Sequence, residues 1–506
     1  MKKGNLASQV AAKTKETQAQ AKAAAKQQQD QSRMTGAGQK DMKTFDNYEI
    51  ALQIMKARRR NEEAFPSKDI ETLVEMAIKV VAANFELYPE LSGVHDTFVQ
   101  SEIVKLADKT LPITVTARNV EFEFYWEEKC KKQLKNCKKE DHGCSYKQAF
   151  IERHLQTLLE NHKAEASVEE LKKELEAARY DVFCLNISQL LSHLDMSIVF
   201  RYLPNLAYLS LTYGAKHVGM EYERPLFGMK MSDAKIFSEC MRSTQSLIYL
   251  SLPGNLIDDD LISILIKGLM LNKTISQLDF SHNKISNSGA RKIAKFLLQT
   301  QIITHLNLSD NMIHYEGSRY LAQALKVNRS LRYLNLKLNR IDDKGGSKLC
   351  VDLQNNNSNL EFLSLSSNSL GHMFCESLAE FLKINRTIKR LDISCNFIDD
   401  SNANTLKDSL ESNSNIIEID VRNNQLSEDT ENDINEIVTK NMLMSKNIPF
   451  KRLGEFQHQT NRAESQFSAT KQQTMTGANA TDQKRNLIGS PNAQNSGRDQ
   501  DSPKRD

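Results

Sequence analysis

Cys130, Cys137, His142 and Cys144 lie within one short stretch and have the side chains that hold zinc. Structural zinc sites use two ligand pairs, each with two to four residues between its members, whereas the intervals of seven, five and two here do not supply two such pairs. That spacing argues against a metal. Acidic runs form the second candidate: Asp258, Asp259 and Asp260, and again Asp342 and Asp343, stand just after the Asn turns of a repeated pattern. A cation needs converging oxygens, while carboxylates repeated at equivalent places more simply cap helix N-termini. The remaining cysteines, Cys184, Cys240, Cys350, Cys375 and Cys395, fall in strands, helices or turns of a repeat, where a small apolar side chain packs well. Such usage fits a reducing compartment. The chain has no GxxxxGK[ST], no GxGxxG after a strand, no HExxH and no GxSxG. Neither an enzyme nor a cofactor is expected.

The elements that must position any site are set by repetition. "LIYLSLPGN", "ISQLDFSHN", "ITHLNLSDN", "LRYLNLKLN", "LEFLSLSSN", "IKRLDISCN" and "IIEIDVRNN" end on Asn255, Asn283, Asn311, Asn339, Asn368, Asn396 and Asn424, spaced by 28, 28, 28, 29, 28 and 28. This is the LxxLxLxxN leucine-rich pattern. Alternation points Leu334 and Leu336 inward from a short parallel strand, and Asn turns the chain while satisfying buried backbone groups. The second half of each unit has a helical apolar face, as with Ile293, Ala294 and Leu297 or Leu321 and Leu325. A 28-residue unit with a full helix resembles the ribonuclease-inhibitor subclass, an α/β leucine-rich-repeat horseshoe. Weaker units precede the regular ones: Leu206, Leu209 and Leu211 fit a strand that ends on Gly214 instead of Asn, and Val182, Leu185 and Ile187 suit one still earlier. "EDTENDINEIVTKN" is suited to capping the far end.

Side by side, outward strand residues form columns about 4.8 Å apart. One column reads Tyr249, Gln277, His305, Tyr333, Phe362, Arg390 and Glu418; the next reads Ser251, Asp279, Asn307, Asn335, Ser364, Asp392 and Asp420. Aromatic residues and Arg dominate binding energy when a partner buries them, so Tyr249, Tyr333, Phe362 and Arg390 are the expected partner-binding residues. The plainer alternative is a solvated face whose rings pack along one another.

Before the repeats, "FDNYEIALQIMKARRR", "SKDIETLVEMAIKVVAANFELY", "SYKQAFIERHLQTLLENH" and "SVEELKKELEAARY" have apolar residues at three- and four-residue intervals and read as amphipathic helices, the last with Ser167 as N-cap. The expected domains are a disordered basic tail over 1–43, a helical domain over 44–178, repeats over 179–445 with an insertion near 213–228, and a disordered tail over 446–506. The two tails carry +6 and +4, which leaves −7 on the body of a chain whose total is +3. Basic arms suit an acidic polymer such as nucleic acid, tubulin or anionic lipid, although solvated Lys-rich tails are common. With no run of about 18 apolar residues, the chain is expected to be intracellular and free of membrane spans.

The insertion interrupts the pattern in "LAYLSLTYGAKHVGMEYERPLF". With "LNLKLNRIDDKGG", "LDISCNFI" and the upstream "YWEEKCKKQLKNC" and "SYKQAFIERHLQ", it resembles the T-complex-associated testis-expressed leucine-rich protein family, subunit 5 of the nexin-dynein regulatory complex, over roughly residues 46–440. That resemblance implies a non-enzymatic scaffold in the cytoskeleton of motile cilia and flagella, where the complex links doublet microtubules in the axoneme and regulates dynein-driven motility. Implied partners are the other subunits and, through the basic tails, microtubules, with no membrane and no nucleic acid. A second resemblance is fainter: "LPITVTARNVEFEFYWEEKC" with "SYKQAFIERHL" is similar to the F-box segment of leucine-rich ubiquitin-ligase substrate adaptors.

Overall fold

A three-residue alternation such as Tyr249–Ser251 cannot stand alone as a strand; it persists only where neighbours take up its backbone groups on both sides. The computed structural model describes residues 72–446 apart from 136, 164–165, 192, 216–226 and 355–358. Both expected tails, and the helix expected at "FDNYEIALQIMKARRR", lie outside the described residues. Of two compact units, 1–77 and 78–506, the first is described only from residue 72.

Among the described residues nine strands form one sheet in chain order, each parallel to the next: β1 (Cys184–Leu190), β2 (Tyr208–Tyr213), β3 (Tyr249–Ser251), β4 (Gln277–Asp279), β5 (His305–Asn307), β6 (Tyr333–Asn335), β7 (Phe362–Ser364), β8 (Arg390–Asp392) and β9 (Glu418–Asp420). A helix follows each strand and returns the chain to the start of the next, as parallel pairing demands. This is the leucine-rich-repeat α/β architecture, with Leu334, Leu336 and their equivalents buried between sheet and helices.

What holds neighbouring coils is the asparagine at each turn. Asn311 Oδ1 accepts from Ile285 N of the preceding coil at 3.0 Å, while its Nδ2 donates to Phe280 O at 2.9 Å and to Leu308 O of its own coil at 3.1 Å. Asn283, Asn339, Asn368, Asn396 and Asn424 repeat the arrangement one coil on, each at a buried or half-buried amide. Asn255 does the same for β2, accepting from Tyr213 N at 2.6 Å and donating to Leu211 O at 2.7 Å. To reach this pose the preceding residue adopts the left-handed conformation in every coil: Gly254, His282, Asp310, Leu338, Ser367, Cys395 and Asn423 have φ between 51° and 65°. Cys395 is therefore exposed on a turn, contrary to the packed position expected for it.

The helix starts form a second set of bridges, and they resolve the acidic runs. Asp258 caps its own helix, accepting from Leu261 N at 2.9 Å, but Asp259 reaches forward to Ser286 N and Gly289 N of the next, each at 2.9 Å. Asn287 repeats that reach to His314 N and Gly317 N, Asp343 to Gly371 N and Phe374 N, and Asp400 to Ser427 N. Tyr315 occupies the corresponding place one coil earlier than Asp343 and makes no such bridge, and there Asp342 caps its own helix through Gly345 N at 2.8 Å. A Cβ on Gly289 would lie 2.5 Å from Asp259 Oδ1, which excludes any larger residue there without displacing the bridge.

Six described α-helices precede the repeats, and the fifth packs against β1 at the first edge of the sheet. They are α1 (Leu73–Ala83), α2 (Thr97–Leu106), α3 (Ile113–Thr116), α4 (Glu123–Gln133), α5 (Tyr146–Glu160) and α6 (Val168–Ala177). Ser167 stands at the N-cap of α6, but its hydroxyl makes no capping bond. Trp126, the chain's only tryptophan, is fully buried against Phe150 and donates to Val120 O. From α5, Glu152 Oε1 accepts from Phe183 N and Cys184 N, both at 2.8 Å, and Glu160 Oε1 accepts from Ser188 N at 2.8 Å. Two carboxylates thus occupy donors that an edge strand would otherwise leave open. The final helix (Glu428–Ser445) buries Ile434 and Val438 over the last coil. Among the described residues no helix is long and apolar enough to cross a membrane.

Replacing Asn339 by Ala leaves the Ile313 amide without its acceptor and takes one donor from each of the Leu308, Leu336 and Lys337 carbonyls, which keep another, and should cost about 1–3 kcal/mol. Leu338→Gly, one residue away, should instead raise stability by up to about 1 kcal/mol because it relieves the left-handed conformation. Denaturation midpoints of the two variants test this; equal midpoints would contradict it.

Candidate interaction surface

Because the asparagine bridges hold adjacent coils in register, equivalent residues meet directly across the sheet. Tyr333 pairs with His305 on one side and Phe362 on the other, and Phe362 pairs with Arg390. The rings use this register. Tyr333 and Phe362 stack with centroids 4.2 Å apart and planes within 4°, His305 stacks on Tyr333 at 5.5 Å, and the Arg390 guanidinium lies 5.2 Å from the Phe362 centroid. A separate pair, Tyr208 and Tyr249, stacks at 4.4 Å, with Gln277 between it and the longer stack. Of the four residues expected to bind a partner, Tyr333, Phe362 and Arg390 come together, while Tyr249 belongs to the other pair. Stacking half-buries the rings yet leaves them on the open face of the sheet.

Two features fix the surroundings of this stack. Asp279, Asn307, Asn335, Asp392 and Asp420 in the next column each accept from the amide two residues on, so those side chains are engaged in turns. On the other flank the Lys389 ammonium, 3.0 Å from Glu361, and then Arg332 at 3.6 Å hold the Glu361 carboxyl below its ordinary value. Burial pushes the Tyr249 hydroxyl up to about 12. Burial, then the charges of Arg332 and Arg390, lower the His305 imidazole below its ordinary value.

The insertion meets the sheet at its two feet, while its body, 216–226, lies outside the described residues. Gly228 N donates to Tyr213 O at 3.1 Å and Met229 N to Asn255 O at 2.8 Å. The two ends of the insertion are thus held close together beside the Asn255 turn. At Gly214, φ is 145° and an added Cβ would lie 2.8 Å from the Phe227 ring, so glycine is what this crossing accepts in place of the missing Asn.

The ligand types at 130–144 diverge: His142 Nδ1 pairs with Glu152 Oε2 at 2.5 Å, and Cys144 is exposed. Among the described residues no group of three or more His, Cys, Asp or Glu could hold an ion.

A further set of bridges escaped the sequence pattern. Asn272 and Asn328 donate back to Met241 O and Leu297 O at the end of the preceding helix, and Asn413 and Asn441 donate to Leu382 O and Asn413 O. The recurring "NKT", "NRS" and "NRT" after the helices was the available signal, weakened because Thr300 interrupts it.

Comparison with known proteins agrees with both readings of the pattern. A leucine-rich repeat family model matches residues 271–294 and 327–350. A Chlamydomonas reinhardtii protein named Dynein regulatory complex subunit 5 is 38% identical over 193 residues, which cover 38% of this chain and 49% of that protein. The Mus musculus protein of the same name is 29% identical over 45% of this chain and 51% of its own. The chain thus spans about half the length of the curated relatives it matches. The solved leiomodin-1 actin-binding site 2 is 13% identical over 46% of this chain and 99% of that one, at a TM-score of 0.22. The curated relatives are the subunit named by the insertion and leader, and nothing in them supports a ubiquitin-ligase adaptor.

The His305 shift has a definite sign. Since the folded state disfavours the imidazolium, its stabilising contribution is complete above the unfolded value near 6.5 and is lost as pH falls toward the lower folded value. An NMR titration should find His305 below 6.5, and Arg390→Gln should move it upward. An unshifted His305 that ignores the substitution would contradict the stack.

Proposed function

We propose, for a chain whose curated relatives are dynein regulatory complex subunit 5, that it is a non-enzymatic structural and interaction subunit of that complex in the ciliary or flagellar axoneme. There it helps link doublet microtubules and regulate dynein-driven sliding. Kinship with proteins of that name is the observation that carries the reading. The open sheet face supplies the means: a neighbouring subunit docks on the stack of Tyr333, Phe362 and Arg390, with Tyr249 as a second anchor. Ring faces offer large contact area with little side-chain freedom left to lose, because stacking has already ordered them. The basic tails contribute contacts to microtubules, whose acidic surface suits their charge.

Expressed in flagellated cells lacking the endogenous subunit, the wild-type chain should remain with detergent-extracted axonemes; recovery wholly in the soluble extract would overturn the axonemal reading. Tyr333→Ala with Phe362→Ala should weaken binding to a purified neighbouring subunit by at least about 2 kcal/mol, roughly thirtyfold. Affinity within twofold of wild type for every neighbour would exclude this face as the main docking surface.

A further inference from the structure

The cluster at 130–144 brings two sulfurs together instead of four ligands. Cys130 lies on α4 against the core, 2% exposed, and donates its thiol to Tyr146 O at 3.6 Å. Cys137 is half-buried and donates its own thiol to Cys130 Sγ at 3.4 Å. We propose that Cys130 and Cys137 form a dithiol modification site, which a small-molecule disulfide of the glutathione type converts into an intramolecular disulfide. The inference is independent of the axonemal reading.

The geometry asks for a small movement. An S–S bond is about 2.05 Å long, so the sulfurs must close by roughly 1.3 Å from their 3.4 Å separation. Access sets the order of events. Cys137 is the more exposed, whereas burial and the neighbouring Cys137 thiol hold the Cys130 proton on well above the usual thiol range. Cys137 first loses its proton, and its thiolate attacks one sulfur of glutathione disulfide. That S–S bond breaks, one glutathione thiolate leaves and takes up a proton, and Cys137 carries the mixed disulfide. Cys130 then gives up its proton and attacks Cys137 Sγ, expelling the second glutathione, which is protonated in turn. Two protein thiols are oxidised and one glutathione disulfide is reduced to two glutathione molecules.

The resulting ring would brace the C-terminal end of α4 to the segment leading into α5. That segment carries His142, which pairs with Glu152, and Ser145, whose hydroxyl donates to Glu123 of α4. Oxidation would therefore tighten the support through which Glu152 holds the start of β1.

The test uses the full chain, incubated natively with glutathione and glutathione disulfide in graded ratios, quenched by alkylation and mapped by peptide mass spectrometry. A Cys130–Cys137 link should grow as the mixture becomes more oxidising and disappear with dithiothreitol. In Cys130→Ser, Cys137 should stop at the glutathione adduct. Wild-type Cys137 accumulating only as that adduct, no reaction at either residue, or a link formed only after unfolding in urea would each overturn the proposal. Should Cys130→Ser fail to fold, phenylarsine oxide provides a second measurement on the wild type, since a trivalent arsenical is held by two adjacent thiols. Prior oxidation should abolish its capture, and failure of the reduced protein to retain it would count against the site.

Discussion

Wherever a repeat turns from strand to helix, backbone amides and carbonyls are taken out of water with no ladder partner of their own. One asparagine carboxamide per turn answers this, because it offers an acceptor and two donors on a short arm. In Asn311 and its equivalents those groups reach both the preceding coil and their own, so each turn is satisfied only when its neighbour is in register. The interaction is local in chemistry but collective in effect. It ties the spacing of the chain to the spacing of the sheet, and the cost of the left-handed residue before each Asn is what the carboxamide offsets.

Register makes the open face possible. His305, Tyr333, Phe362 and Arg390 stack because equivalent positions of successive coils fall side by side, not because these residues seek one another along the chain. The one 29-residue interval tests this within the molecule. Leu325 and Leu353 are 28 apart, but Leu331 and Leu360 are 29 apart, so the additional residue lies between helix and strand. The strand and the Asn stay aligned, and the Tyr333–Phe362 stack is the closest of the set.

Much of this was legible in the sequence, for an identifiable reason. A motif repeated seven times at near-constant spacing leaves little freedom in strand order, and period-two alternation assigns Leu334 inward and Tyr333 outward. The column was therefore readable, but its division into two stacks was not, because ring orientation depends on rotamers and on the intervening Gln277. Contacts made once per chain were also hidden. Nothing periodic marks Glu152 or Glu160, whose carboxylates cover β1, and intervals between cysteines do not say that Cys130 and Cys137 touch. Cys395 was misplaced because residue type suggested packing where the turn imposed exposure.

Residue-resolved hydrogen exchange tests the asparagine constraint most directly. The amides of Ile257, Ile285 and Ile313 make their bonds to asparagine carboxamides and lie outside the strands. They should exchange as slowly as strand amides in the native protein, and Asn311→Ala should speed Ile285 selectively while leaving Ile257 protected. Wild-type exchange at these amides as fast as in an exposed loop would contradict the account.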